Sequence, residues 1–144
     1  MIASVVDILH VDDDLNFAEL TATYLERENE QFSVETATSA AEGLDIVEDS
    51  PPDCLVSDYD MPGRNGIELL QKVREQYPEL PVILFTGKGS EEVASDAISA
   101  GVTDYLQKGS GTERYEILAN RVSNAVEQYR AKQWVQTERQ RFET

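Results

Sequence analysis

Five side chains in this sequence stand where short apolar runs give way to loop residues, and their types suit phosphoryl chemistry. Asp12 and Asp13 follow the β-branched-rich run 5–11, and Asp58 follows the run 54–56 and opens a Pro/Gly turn that ends at Gly66. Thr86 closes the apolar run 81–85, and Lys108 closes the run 102–107. Clustered carboxylates repel one another and either take up protons or bind a cation. A ligand set of oxygens alone, without His or Cys, suits Mg²⁺ rather than zinc. An ammonium and a hydroxyl beside that cation can stabilise the equatorial oxygens of a phosphoryl group in transfer. No glycine-rich nucleotide cradle accompanies these residues, so the group passes to or from a protein side chain. A carboxylate is a competent nucleophile, and Asp58 is the best placed of the three.

The elements that must position these residues follow from periodicity. Strands are expected at 5–11, 32–37, 53–58, 81–85 and 102–107, each short and rich in β-branched or aromatic residues. Between them lie helical patterns. The first runs from Leu15 to Arg27 with Phe17, Leu20, Tyr24 and Leu25 as its apolar positions and Asp14 as its cap. Ser39 opens the second, with Glu42 in capping-box position and Pro51-Pro52 as its stop. The third runs from Gly66 to about Tyr77. The fourth starts at Ser90, places Val93, Ala94, Ala97 and Ile98 on one face, and ends at Gly101. The fifth is a long helix from about Thr112 through Tyr129 and beyond. Strand and helix alternate five times, which calls for a parallel sheet covered on both faces, with ligands at the carboxyl ends of its strands.

Composition bounds the setting. The 144 residues suffice for one domain, and 40% hydrophobic content supplies a core. No run approaches a membrane span, and the amino terminus lacks signal-peptide character. Cys54 stands alone, so no internal disulfide forms and a reducing cytoplasm is the expected location. A net charge of −16 argues against nucleic-acid binding by this domain. Only four of the twelve basic residues are lysine, and abundant carboxylates with few lysines are expected of a halophilic cytoplasm, where salt screens self-repulsion.

Residues 5–130 resemble the receiver domain of two-component response regulators. The resemblance rests on Asp12-Asp13 after the first strand, on Asp58 with Met61-Pro62 and Gly66, on Thr86, and on Asp104-Tyr105-Leu106 with Lys108. It implies a doubly wound (βα)5, flavodoxin-like three-layer α/β sandwich with sheet order 2-1-3-4-5. It further implies that Asp58 accepts a phosphoryl group from a phosphohistidine on a histidine kinase or phosphotransfer protein, in a switch rather than a turnover enzyme. Mg²⁺ would be held by Asp13 and Asp58 directly, by Asp12 through water and by the backbone carbonyl of Asp60. Thr86 and Lys108 would contact the acyl phosphate. Thr86 and Tyr105 would carry the switch to the face formed by helix four, strand five and helix five. Asp60 and Lys88 occupy positions that tune dephosphorylation in this family. In place of the family's usual proline, Gly109 follows Lys108, so a trans or rearranged loop is expected there. A haloacid-dehalogenase-like phosphatase also uses a strand-end Asp-x-Asp, but here Met61-Pro62-Gly63 follows Asp60 and no cap domain fits. The other alternative is a receiver-like interaction module that is never phosphorylated.

Two further features have readings of their own. His10, the only histidine, lies inside the first strand and is expected to be a satisfied interior residue. In the last helix Leu118, Val122, Ala125 and Tyr129 form the packing stripe, after which Ala131, Val135 and Phe142 begin a second stripe, with Trp134 beside it. The expected organisation is therefore a receiver domain over 1–129 and a helical extension over 130–144, leading to a further domain or a homodimer partner. A homodimer through the helix-four, strand-five, helix-five face is the other arrangement. The second stripe is still running at Thr144, as in a segment of a longer protein.

Overall fold

The computed structural model describes residues 5–87 and 90–143, the side chains of 142 and 143 excepted. Ten elements alternate: β1 (Val6–Val11), α1 (Leu15–Glu28), β2 (Phe32–Ala37), α2 (Ala40–Asp49), β3 (Cys54–Ser57), α3 (Gly66–Gln76), β4 (Val82–Thr86), α4 (Glu91–Ser99), β5 (Asp104–Gln107) and α5 (Glu113–Glu143). The five strands form one parallel sheet in the order β2-β1-β3-β4-β5, as the resemblance implies. Buried parallel strands need both faces covered. Val6, Ile8, Cys54, Val56, Ile83 and Phe85 meet Leu25 of α1 and Leu118, Val122 and Val126 of α5 on one face. Leu9, Val11, Leu55 and Val82 meet α2 and α3 on the other.

Side-chain hydroxyls, carboxylates and amides start the helices. Asp14, Ser39 and Ser90 each accept a backbone N–H from the first turn. Around α3 the cap is reciprocal: Asn65 accepts from the Glu68 N–H while Glu68 accepts from the Asn65 N–H.

Three expectations change in detail. On α1 the buried face is Ala18, Thr21 and Leu25, and Leu20 is 43% exposed, because Leu20 stands one residue off the stripe that faces the sheet. Only Ala97 of α4 is buried, and Ile98 is 71% exposed. Helix α4 thus rests on the sheet by a narrow contact. His10 is interior, but neither ring nitrogen finds a hydrogen-bond partner. It packs at 6.3 Å from the Phe17 ring, and α1 closes over it.

Burial, with the nearby Lys108 ammonium as a second cause, lowers the His10 pKa from 6.5 to about 4. In the window between those values the unfolded chain binds a proton at His10 that the folded chain does not. Stability is therefore complete above pH 6.5 and falls as pH drops towards 4, by at most about 1.4 kcal/mol per pH unit. Denaturant unfolding at several pH values in this window should show a shallower dependence for His10→Leu than for the native chain. Parallel pH profiles would refute the assignment.

Candidate functional site

Register brings the site together. Val11 of β1 pairs with Ser57 of β3, so Asp12 and Asp58 leave neighbouring strands at the same level. The Asp12 N–H donates to Ala37 O at 3.0 Å and the Asp58 N–H to Val11 O at 2.9 Å, extending the ladder to both residues. Ser57 also pairs with Leu84, which sets Thr86 at the end of β4 just past Asp58. Thr86 pairs with Gln107 of β5, and the Lys108 N–H donates to Thr86 O at 3.0 Å. Four strands thereby deliver their last residues to one sheet edge.

Lys108 ties the carboxylates to one another. Its Nζ lies 2.9 Å from Asp12 Oδ2 and 3.5 Å from Asp58 Oδ2. Asp12 is 1% exposed and Asp58 8%, so the ammonium balances charge that solvent barely reaches. The other oxygens are held from the backbone: Asp12 Oδ1 accepts from the Asp14 N–H at 2.9 Å, and Asp58 Oδ1 from the Tyr59 N–H at 2.8 Å. Asp13 is exposed, yet one carboxylate oxygen from each of Asp12, Asp13 and Asp58 falls within 4.8 Å of the others. Three hard oxygens at that spacing, with water access at Asp13, fit a divalent cation of the Mg²⁺ type.

The loop after Asp58 is fixed by close packing. The Gly66 N–H donates to Tyr59 O at 2.9 Å, and Met61 is buried. A Cβ on Gly66 would overlap the Asp58 carbonyl oxygen and stand 3.0 Å from a Leu84 methyl. Gly66 is required by the approach of α3 to Asp58, which gives the glycine of the sequence pattern its physical reason.

Gly109, after Lys108, takes the left-handed φ of 58°, and no cis peptide occurs among the described residues. The expected trans arrangement is what the chain adopts. Tyr105 pairs with Leu84 in register and packs against the cluster of Ile67, Leu84 and Ala97, with its hydroxyl buried and unpartnered. Thr86, fully buried, shares the Leu84 face by strand alternation. Asp60 is exposed on the loop, and Lys88 lies outside the described residues.

Sequence reasoning missed the aromatic and cationic bed under Lys108. Its ammonium sits 4.2 Å from the Phe17 ring centroid, and the Arg114 guanidinium carbon lies 5.1 Å from the same ring and 4.8 Å from that of Tyr115. Arg114 Nη1 also donates to Gly109 O at 3.4 Å. The available signal was positional. In a βα unit the first turn of each helix adjoins the edge where the strands end, so Phe17 and Arg114 belong beside the acids.

The comparisons agree with this geometry. The response regulator receiver domain, as a family, matches residues 8–120. This chain belongs to that family. An NtrX-like response regulator of Rickettsia bellii is 30% identical over 120 residues, which are 82% of this chain and 25% of that protein. The photosynthetic apparatus regulatory protein RegA of Cereibacter sphaeroides is 34% identical over 119 residues, 83% of this chain and 60% of RegA. The chain thus spans a quarter to three fifths of these relatives. A CheY-like receiver domain crystal structure from Methanospirillum hungatei superposes with a TM-score of 0.80 at 29% identity, covering 90% of this chain and 99% of its own. In this receiver domain no helix among the described residues is long and apolar enough to cross a membrane.

Replacing Gly66 by Ala forces the Asp58 carbonyl and α3 apart. The expected cost is about 1–3 kcal/mol, read as a lowered urea midpoint. An unchanged midpoint would show that the loop relaxes freely.

Proposed function

We propose that Asp58 is the phosphoacceptor of this receiver domain, taking a phosphoryl group from the phosphohistidine of a histidine kinase or phosphotransfer protein. The observation that carries the reading is Asp58 itself. It is a nearly buried carboxylate with one oxygen held by a backbone N–H and the other facing an ammonium at 3.5 Å. In the transfer a carboxylate oxygen of Asp58 forms the new O–P bond, the P–N bond to the donor imidazole breaks, and the ring nitrogen keeps the electron pair. Lys108 pairs with a phosphoryl oxygen and the Thr86 hydroxyl donates to another. Asp12, Asp13 and Asp58, with the carbonyl of Asp60, would hold Mg²⁺, which supplies positive charge to the phosphoryl oxygens when bound.

Phosphorylation would draw Thr86 towards Asp58 and reset the packing of Tyr105, shifting the population of the α4-β5-α5 face. The narrow seat of α4 and the exposed Ile98 support an output surface there. Signalling in a cytoplasm, of halophilic character given the net charge of −16, and by way of a homodimer through this face or the C-terminal helix, completes the reading. The receiver unit is 1–129, and residues 130–144 extend from it.

Incubation with Mg²⁺ and acetyl phosphate should yield a hydroxylamine-labile phosphoprotein that is absent in Asp58→Asn and absent in EDTA. Sustained phosphate release from many monoesters would mark a phosphatase instead, and no modification at all would mark a plain interaction module. Lys88 is proposed to pair with Asp60 and shield the acyl phosphate from water. Lys88→Ala should then shorten its lifetime severalfold, and an unchanged lifetime removes this role.

A further inference from the structure

Helix α5 changes sides. Through Tyr129 its packing stripe faces its own domain, with Tyr115, Leu118, Val122 and Val126 all at most 2% exposed, and only Ile117, 45% exposed, departs from it. Ala131 lies nine residues past Val122, about two and a half turns, and therefore on the opposite side of the helix. Trp134 is 65% exposed and Val135 49% exposed beside it. The apolar ridge of the extension thus points away from the sheet that the first half of the helix covers.

We infer that this ridge is the seam of a parallel two-stranded coil formed with a second copy of the chain. Positions Gln128, Ala131, Val135, Glu138 and Phe142 recur at alternating spacings of three and four residues, as a and d positions do. The residues facing the home domain then fall at b, e and f, so two domains sit on the outer sides of the pair. The flanking positions are complementary to themselves under a two-fold axis. Glu127 at g faces Lys132 at e of the second copy, an opposite-charge pair. Trp134, the next g residue, faces Arg139 at e, where a guanidinium can lie over the indole.

A groove of about 470 Å³ supports the same partner. It is lined by Ala131, Lys132, Val135, Gln136, Arg139 and Glu79, on the e side of the seam. Trp134 stands on the g side. The two-fold axis carries the Trp134 of each copy to the groove of the other, giving an exposed aromatic a receiving pocket with an apolar floor. Lys132 already meets Glu79 at 3.4 Å, and Arg130 binds Val5 O at 2.9 Å and Asp53 at 3.2 Å. These contacts fix the direction in which the extension leaves the domain.

Glu138 is the misfit. At a d position it meets the Glu138 of the second copy, and like charges there weaken the pair. The inference stands apart from the phosphoacceptor reading, and its test uses no phosphodonor. Sedimentation of the 144-residue chain over about 10–500 µM should show a reversible dimer. Emission from Trp134, the only tryptophan, should move to shorter wavelength as the dimer forms. Trp134→Ala should weaken association at least tenfold and Glu138→Leu should strengthen it at least tenfold. Gln133→Leu, at the outward f position, should change neither. A monomer across the whole range for both the native chain and Glu138→Leu overturns the inference. So does a dimer whose Trp134 emission stays unshifted, since it would use another face.

Discussion

Lys108 reaches from the edge strand β5 to place its ammonium between Asp12, on the far side of β3, and Asp58. Two carboxylates that leave adjacent strands at the same level repel each other, and burial of Asp12 removes the water that would screen them. The ammonium makes that arrangement tenable. Losing one partner of a buried, hydrogen-bonded charge set costs about 3–5 kcal/mol, because the other charges are left uncompensated. A parallel sheet is what permits the contact at all, since it alone brings every strand's carboxyl end to one edge. The loop from Asp58 to Gly66 and the cap on α3 hold one side of the charge set. The Lys108 N–H on Thr86 O holds the other.

Holding that ammonium has consequences beneath it. Phe17 supplies a ring face to Lys108, and Phe17 lies against Phe85 at 6.1 Å and against Tyr115 at 6.4 Å. Tyr115 in turn stacks on Tyr24 at 4.6 Å, which ties α1 to the start of α5. Within this aromatic layer polar atoms go unpaired: both His10 nitrogens, Arg114 Nε and the Tyr115 hydroxyl. Unpaired buried groups are costly and uncommon in native interiors.

The carboxyl ends of the strands were legible because hydrophobic periodicity and turn residues fix where a strand stops, and chemistry accumulates at those stops. Asp12, Asp58, Thr86 and Lys108 could each be placed from local pattern alone. Leu20 could not, since its exposure depends on which side of α1 meets the sheet. Ile98 fits the apolar periodicity of α4 and is exposed because that helix has little sheet left to cover. His10 was placed correctly as interior, but pairing its nitrogens requires knowing what α1 lays over it. The Phe17–Lys108–Arg114 contact joins residues from three separate elements: helix starts put Phe17 and Arg114 near the acids, but which side chains touch depends on how α1 and α5 pack. Burial also raises the Cys54 thiol pKa strongly, with the Asp53 charge as a second cause, so the lone cysteine is an inert core residue.

Helix α5 connects these levels. Its first turn carries Arg114, which touches Gly109 and the Phe17 ring at the edge where the carboxylates gather. Arg121 Nη1 donates to both carboxylate oxygens of Asp104 of β5, at 2.9 and 2.7 Å, beside Tyr105. Arg130 is anchored at the opposite end of the sheet by Val5 and Asp53. At 31 residues, the helix spans about 46 Å and continues past the sheet. The helix therefore touches the carboxylate edge through Arg114 at one end and leaves the domain at the other. Its apolar side changes after Tyr129, where Trp134 and Val135 stand exposed, because past the sheet the helix has no home surface left to cover.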